Sequence, residues 1–279
     1  MAALIYRNLK LYFRNRMGAM MSLLGALITF FIYISFLKEN LVQEWQKVAN
    51  ANQVLDAWMM GGILIIAGVT TAFGALGQLV SDREDNRYQD FRMTALKQWK
   101  LAISYFISAF LISLIMQLVS FIIMAVYFKV TDNLTIKWAD GGKLLLVSLL
   151  GTLVATVFCQ IIIEFIHSHV VFNRTSALIG TGIGFAIATY MPVGALSAFG
   201  RHLVKAFPSS YIASSFRELL VGNRIPAVVR PELNDYLGIK LTVFKHSLGP
   251  SQNMLLVTIV SLLGLGLLII VNHLKYKQH

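Results

Sequence analysis

Few side chains in this sequence could do chemistry, and Glu164 is the most distinctive of them. Glu164 lies at the edge of a charge-free run, where an ionisable group is a functional candidate by default. Arg174 begins the next such run on the same side, so we expect a Glu164–Arg174 ion pair in a structural role rather than in transport. His167 and His169 are two residues apart and face different ways on a helix, so no metal site is predicted there.

Three glutamines lie in the long apolar runs and are candidates for a cargo pathway. They are Gln78, Gln117 and Gln160. An amide in an apolar run can face a polar or amphipathic cargo, or it can hydrogen-bond to a neighbouring helix. The second role is sufficient for most of the serines and threonines in the same runs.

Sequence motifs for catalysis and nucleotide binding are absent. The sequence has no GxxxxGK[ST] loop, no HExxH, no GxSxG and a single cysteine, Cys159. The apolar runs hold almost no Asp, Glu or His, which argues against an ion-coupled carrier and against an intramembrane enzyme. We therefore predict no catalytic residue, no metal and no cofactor bound by this chain.

The elements that carry these residues follow from the composition. Of 279 residues, 57% are hydrophobic and 13% are charged, which excludes a soluble globular domain. A helix of about 20 apolar residues crosses a bilayer core. The sequence predicts an all-α membrane protein, one transmembrane domain over 1–279 with six transmembrane helices. They lie near 17–37, 58–80 (starting at Trp58, a residue type favoured at membrane interfaces), 101–126, 144–164, 175–198 and 253–274.

The basic residues predict the orientation of these spans. The net charge is +11, but no zinc finger, RRM or basic zipper is present, so no nucleic-acid partner is expected. With the N-terminus inside, the cytoplasmic segments carry 12 Lys and Arg against 5 in the short outer segments. The long outer segment 201–252 carries seven more, which the positive-inside rule does not count. We expect both termini in the cytoplasm.

Two polar segments on the predicted cytoplasmic side are expected to form helices. Residues 1–16 have an apolar stripe beside Arg7, Lys10 and Arg14 and predict an amphipathic interfacial helix that contacts membrane lipid. This helix could be an anchor alone or could also touch a cytoplasmic partner. Residues 81–100 place Tyr88, Phe91, Ala95 and Trp99 at helical spacing among charges of both signs, which favours a short helix facing a protein partner over a solvated loop.

The outer segment after the fifth predicted span has two parts. Residues 200–222 predict a short re-entrant helix that starts at Pro208 and ends at Gly222, too short to cross a bilayer. Non-spanning structure at that depth must be buried in protein or line a cavity, so this helix is a candidate outer lid. Residues 223–252 are expected to form an external loop or a small cap.

Together these features resemble the ABC-2 type permease family, the membrane subunits of ATP-binding-cassette exporters. Helix number and order carry the likeness, as do two segments. In DREDNRYQDFRMTALKQWK, Arg83 and Glu84 match the family's acidic start, and Asn86 stands where a glycine is usual. The second segment, FPSSYIASSFRELLVGN, resembles the family's Asn-Pro…Arg…Gly pattern, with Phe207 in place of the Asn. Four of its residues are in register with that pattern: Pro208, Tyr211, Arg217 and Gly222.

The resemblance implies a mechanism and two partners. Family permeases dimerise, as homodimers or heterodimers, and sit on separate ATP-binding cassette ATPase subunits that bind ATP and Mg. Cargo would pass between the protomers, along the second and fifth spans. The candidate residues for coupling to the ATPase are Arg83, Glu84, Tyr88, Phe91, Arg92 and Leu96. The candidate residues for the outer lid are Pro208, Tyr211, Phe216 and Arg217.

The function expected from the resemblance is that of an exporter permease. Its cargo could be a drug, an antimicrobial peptide, a lipid or a polysaccharide, moved out of the cytoplasm by alternating access. The alternative is a non-transporting immunity or sensor protein that binds a peptide through 201–252. We expect a multi-pass protein of a bacterial plasma membrane.

Overall fold

Helices account for nearly all of the regular structure. A computed structural model describes residues 1–45, 48, 50–93, 98–222, 224–226, 229–243 and 246–277. The helices are α1 (Ala2–Arg14), α2 (Arg16–Ser22), α3 (Leu24–Ile32), α4 (Lys38–Glu44), α5 (Ala51–Glu84), α6 (Arg87–Met93), α7 (Gln98–Asp132), α8 (Gly141–Ile163), α9 (His169–Ala186), α10 (Ala198–Ala206), α11 (Pro208–Val221), α12 (Arg230–Tyr236) and α13 (Pro250–Lys277). A π-helical turn, Tyr33–Leu37, joins α3 to α4, and short 3-10 turns span Trp138–Asp140 and Val193–Ala195. Two antiparallel strands of two residues each, β1 (Thr242–Val243) and β2 (His246–Ser247), precede α13.

Within the described residues, five helical stretches are long and apolar enough to cross a membrane. They are Leu24–Glu44, Ala51–Glu84, Trp99–Asp132, Gly141–Ile163 and Pro250–Ile270. The prediction of an all-helical chain with several membrane-length helices is therefore confirmed, and the count by length and composition is five rather than six.

The predicted fifth span, 175–198, has no counterpart among these five stretches, and the first, predicted at 17–37, is displaced to Leu24–Glu44. Helix α9 starts earlier, at His169, and ends at Ala186. Its first turns carry polar side chains, including Asn173 and Arg174. Ala188 follows with a positive φ of 51°, and Pro192 cannot continue a helix because it lacks the backbone N–H. The apolar run in the sequence thus covers a helix end and a turn.

Helix α5 is the centre of the molecule. It packs against α7, α8, α9 and α11, and 78% of its most apolar stretch is buried. Trp58 is fully buried rather than at an interface, and its Nε1 donates to the Leu237 carbonyl over 2.7 Å. Glycines let neighbours approach closely: a Cβ at Gly62 would lie 2.5 Å from Thr189 Oγ1, and one at Gly77 would lie 2.6 Å from Phe172 Cζ.

Helix α9 and the turn after it follow α5 over a long distance. At one end the His169 backbone N–H donates to Glu84 Oε2 over 2.8 Å. At the other end Thr189 packs on Gly62. Glu84 and Gly62 are 22 residues apart on α5, which corresponds to about 33 Å along a helix axis. The segment from His169 to Thr189 therefore covers a height close to the thickness of a bilayer core.

The helix predicted to start at Pro208 and end at Gly222 corresponds to α11, and a separate helix, α10, precedes it. Phe207 has an extended backbone and separates α10 from α11, because Pro208 disfavours the helical conformation in the residue before it. Pro208 occupies the first turn of α11, and Gly222 ends the helix with φ 55°. Helix α11 is buried against α5, α8 and α13, so it is part of the core.

The segment predicted as an external loop or a small cap, 223–252, is a cap whose described residues have structure of their own. It contains α12 and the β1–β2 pair. Three of its apolar side chains are fully buried: Leu237, Ile239 and Leu241. Trp58 donates to the Leu237 carbonyl, and the Ser214 hydroxyl donates to the Ile239 carbonyl over 2.7 Å, so this cap is fastened to α5 and α11.

Candidate functional site

Asp82 is the centre of a buried polar cluster at the end of α5. It is fully buried and accepts two hydrogen bonds from Arg7, Nη1 to Oδ2 at 2.7 Å and Nη2 to Oδ1 at 2.9 Å. The Tyr105 hydroxyl donates to Oδ2 over 2.6 Å, and the Gln78 amide donates to Oδ1 over 2.9 Å. A buried carboxylate is costly unless it is paired and hydrogen-bonded, and here it is both.

This Asp82 cluster joins three helices. Arg7 comes from α1, Asp82 from α5 and Tyr105 from α7. The hydrogen bond from Arg7 to Asp82 raises the pKa of the Arg7 guanidinium above its usual value, so Arg7 is charged at any physiological pH. The interfacial helix predicted over 1–16 is therefore attached to the core by a defined ion pair.

The next residue, Arg83, pairs with Glu164. Its Nη2 lies 2.8 Å from Glu164 Oε2, and its Nη1 donates to the Ile163 carbonyl over 3.0 Å. This corrects the predicted Glu164–Arg174 pair: Arg174 is exposed, one turn into α9, whereas Glu164 is buried where α8 ends beside α5. Glu164 thus binds α8 to α5 rather than to the following helix.

Glu84 completes the set of contacts at this end of α5. Its Oε2 accepts the backbone N–H of His169, the first residue of α9. A carboxylate at a helix N-terminus interacts favourably with the unpaired N–H groups and with the helix dipole. Three consecutive residues of α5, from Asp82 to Glu84, therefore contact α1, α7, α8 and α9.

Helix α6 follows directly and has a packed side and an open side. Asn86 has φ 60°, a left-handed conformation that Gly and Asn adopt most easily, and it reverses the chain between α5 and α6. The guanidinium of Arg83 lies 5.7 Å from the Tyr88 ring centre, and that of Arg7 lies 5.3 Å from the Phe91 ring centre. Both rings are half-buried, so this side of α6 rests on the charged cluster.

Other side chains of α6, at its flanks and on its far side, are exposed. Asp90 and Arg92 are exposed, and Met93 is 84% exposed. Of the six residues predicted for coupling, Arg83, Tyr88 and Phe91 hold α6 in place. Glu84 contacts α9 instead, and Arg92 is exposed. The sixth, Leu96, lies outside the described residues.

The three predicted pathway glutamines are not equivalent. Gln117 and Gln160 are buried between helices, and Gln117 Nε2 donates to the Leu64 carbonyl over 2.9 Å. Gln78 is half-buried and lines a small cavity between α1, α2 and α5. It belongs to a stripe of partly exposed residues on α5, which are otherwise Thr70, Gly74 and Ser81.

The predicted lid residues are largely enclosed by other helices. Tyr211, Phe216 and Arg217 are buried, and Pro208 is half-buried. The Tyr211 hydroxyl donates to the Lys205 carbonyl over 2.6 Å and braces the bend between α10 and α11. Their burial follows from the packing of α11 against α5, α8 and α13.

Arg217 is a fully buried cation that is stabilised by carbonyl groups and one ring. Its Nη2 donates to the Ala188 carbonyl over 2.8 Å, and the guanidinium lies 5.0 Å from the Trp58 ring centre. The Ala188 carbonyl follows the C-terminal end of α9, where the helix dipole favours a positive charge. Arg217 thus joins α11 to α5 and to the turn after α9.

The sequence patterns do not identify one ion cluster. It lies at the start of α5, where Lys38 Nζ lies 3.0 Å from Asp56 Oδ1 and 2.5 Å from Asp132 Oδ2. Asp56 directly precedes an apolar run, and this position is the one sequence signal for a charged site here. Its partners, Lys38 and Asp132, are 18 and 76 residues away, so spacing does not reveal them.

The chain was compared with protein families, curated proteins and solved structures. The searches of curated proteins and of solved structures gave no match. The family model for the ABC-2 type transporter matches residues 1–221, which is more than half of the chain and reaches from α1 through α11. The match does not favour the alternative of an immunity or sensor protein. This multi-pass membrane protein therefore belongs to the ABC-2 type transporter family, whose members are non-catalytic membrane components of transporters.

Proposed function

We propose that this chain is the permease subunit of an ATP-driven exporter and that α6 is its coupling helix. The observation that carries the proposal is that α6 packs on the core through two aromatic rings and leaves its other side chains exposed. Tyr88 and Phe91 rest on Arg83 and Arg7, whereas Arg92 and Met93 are exposed. A separate ATPase subunit, which would bind ATP and Mg, would contact the exposed side.

The contacts around Asp82, Arg83 and Glu84 support the transmission of force from α6. A displacement of α6 acts first on Arg7 and Arg83 through the two rings. These cations are bound to Asp82 and Glu164, which belong to α5 and α8. Because the joints are short ion pairs in a buried setting, the helices would move together as a rigid body between inward- and outward-facing states.

The proposed cargo path follows α5 on its partly exposed stripe. Thr70, Gly74, Gln78 and Ser81 recur at helical spacing and lie on one side of an otherwise buried helix. Helices α2 and α3 of the same chain flank this stripe, since Gly74 faces Ser22 and Thr70 faces Gly25. The path would therefore run between α5 and these two helices, toward a second copy of the chain related by a two-fold axis. The buried Gln117 and Gln160 would then support helix packing rather than contact cargo.

We propose α9 as a sixth crossing, with both termini in the cytoplasm. Contacts of α9 and the turn after it with Glu84 and with Gly62 support this, since those residues are about 33 Å apart along α5. Six crossings return the C-terminal Lys275 and Lys277 to the side of the basic N-terminal helix, as the positive-inside rule requires. The proposed location is a bacterial plasma membrane.

The proposal is tested by purifying the tagged chain from its native membrane and measuring ATPase activity that co-purifies with it. The wild-type chain is expected to bring down an ATPase subunit. Arg92→Asp is expected to remove most of the co-purified activity, because it reverses a charge on the exposed side of α6. Arg174→Asp is the matched control, an exposed arginine at the same end of the molecule, and is expected to behave like the wild type. A wild-type chain that purifies without any ATPase would overturn the proposal.

A further inference from the structure

A cavity of about 370 Å³ lies beside the cap, at the end of the molecule where α5 begins. Arg201 and Lys205 of α10 and Lys240 after α12 contribute three cations to its lining. Glu232 and Asp235 of α12 contribute two carboxylates. The volume is in the range of small-ligand sites, about 300–1,000 Å³.

The charges of opposite sign in this cap cavity are held apart. Among the described residues, no ion pair within 4.0 Å links Arg201, Lys205 or Lys240 to Glu232 or Asp235. The nearest carboxylate recorded for Lys240 Nζ is Glu218, at the outer limit of 4.0 Å. Helix α10 therefore forms a cationic wall of the cavity and α12 forms an anionic wall, whereas Lys240 lies nearest to Glu218.

The walls are fixed by the core beneath them. A Cβ at Gly194 would lie 2.3 Å from Tyr236 Cδ2, so α12 approaches the 3-10 turn as closely as a glycine allows. The Tyr236 ring also contacts the Trp45 ring, with centres 5.8 Å apart. Ile239, next to Lys240, is buried and accepts a hydrogen bond from Ser214. These contacts hold α12 and the segment that carries Lys240 in place beside the cavity.

Helix α10 carries both the cations of the cavity and apolar side chains that could contact a membrane. Phe199 is 78% exposed and Leu203 is 43% exposed, on a short helix that also carries Arg201 and Lys205. Exposed apolar side chains next to cations are typical of a helix that lies in the headgroup layer. The cavity thus opens where phospholipid headgroups are found.

We propose that the cap cavity binds the zwitterionic headgroup of a phospholipid, with the phosphate against Arg201 and Lys205 and the ammonium against Glu232 and Asp235. Phosphate is matched by Arg and Lys donors, and a primary ammonium donates to carboxylates. Free phosphoethanolamine has the same chemistry, but the exposed apolar residues of α10 favour a ligand with acyl chains. The inference requires only a membrane protein and is independent of coupling to an ATPase.

The test is native mass spectrometry of the purified full-length protein with added phosphatidylethanolamine, phosphatidylglycerol or free phosphoethanolamine. The wild type is expected to bind phosphatidylethanolamine about tenfold more tightly than phosphatidylglycerol, which lacks the ammonium. The variant Arg201→Gln with Lys205→Gln is expected to weaken both lipids by about tenfold. The variant Glu232→Gln with Asp235→Asn is expected to lower phosphatidylethanolamine binding to the level of phosphatidylglycerol.

The control is Lys143→Gln, which removes an exposed cation outside the cavity and is expected to bind both lipids as the wild type does. Equal binding of the two lipids by the wild type would overturn the proposal, as would lipid binding that the Arg201 and Lys205 substitutions leave unchanged. Free phosphoethanolamine that binds as tightly as the lipid would overturn the lipid assignment. None of these outcomes depends on whether an ATPase co-purifies.

Discussion

The Arg7 guanidinium and the Asp82 carboxylate form a two-pronged ion pair, with contacts of 2.7 and 2.9 Å, that joins the N-terminal helix to the end of the central helix. The pair is 75 residues apart in sequence and lies directly under α6, because the same guanidinium faces the Phe91 ring. Through Arg7, the partly exposed helix α6 is therefore connected to the core, which the proposed coupling to an ATPase requires.

Asp82→Asn is expected to destabilise the protein by about 2 kcal/mol, because it leaves the Arg7 cation without its counter-charge. The value is at the low end for a broken ion pair since Arg7 is 27% exposed and regains some solvent. Thermal unfolding of the detergent-solubilised protein measures it. Asp85→Asn, at an exposed carboxylate three residues on, is expected to change stability by less than about 0.5 kcal/mol. Equal losses in the two variants would contradict the role given to Asp82.

Glu164→Gln is expected to lower stability by about 1–3 kcal/mol, because it weakens charge-assisted hydrogen bonding with Arg83 in a buried setting. Arg174→Gln is expected to have little effect, since that side chain is exposed. Unfolding midpoints in urea or heat compare the two variants. A larger loss in Arg174→Gln than in Glu164→Gln would restore the pairing that the sequence predicts.

Gly62→Ala is expected to destabilise the contact between α5 and the turn after α9, because its Cβ would meet Thr189 at 2.5 Å. Overpacking of this kind costs about 1–3 kcal/mol. Gly182→Ala has open space around its Cβ and is expected to be neutral or to stabilise α9 by up to about 1 kcal/mol. The pair is measured by thermal unfolding, and a Gly62→Ala variant as stable as the wild type would show that α9 does not approach α5 so closely.

Asn86→Gly is expected to be tolerated and Asn86→Val to destabilise the joint between α5 and α6, because the residue has φ 60°. A β-branched side chain in this region costs about 1–2 kcal/mol. Limited proteolysis near 84–93, together with unfolding midpoints, compares the variants. Greater protease sensitivity in Asn86→Gly than in Asn86→Val would contradict the left-handed conformation.

Much of the helical framework follows from the sequence alone, for reasons visible in particular residues. Charge-free runs identify the membrane-length helices, since a helix of that length has few other environments. Pro208 and Gly222 mark the two ends of α11 because one cannot follow a helical turn and the other tolerates a positive φ. Asn86 stands at a turn for the same reason as Gly222.

The sequence does not predict which residues pair with the buried charged side chains. Glu164 and Arg174 are ten residues apart, yet Glu164 is bound to Arg83 because the ends of α5 and α8 meet. Arg217 looks like a surface residue of an outer helix, but carbonyls of another helix end and the Trp58 ring allow it to be buried. Such pairings depend on which helix ends adjoin, and that is decided by packing over the whole chain.

The most direct test of the central claim is a site-specific crosslink from α6 to the proposed ATPase. A cysteine at position 93, Met93→Cys, is exposed, whereas the native Cys159 is buried and should not react. Val130→Cys, 78% exposed near the other end of α7, is the control. In native membranes the account predicts an adduct between Met93→Cys and an ATPase subunit, and none from Val130→Cys. An intact complex that crosslinks through Val130→Cys but not through Met93→Cys would contradict it.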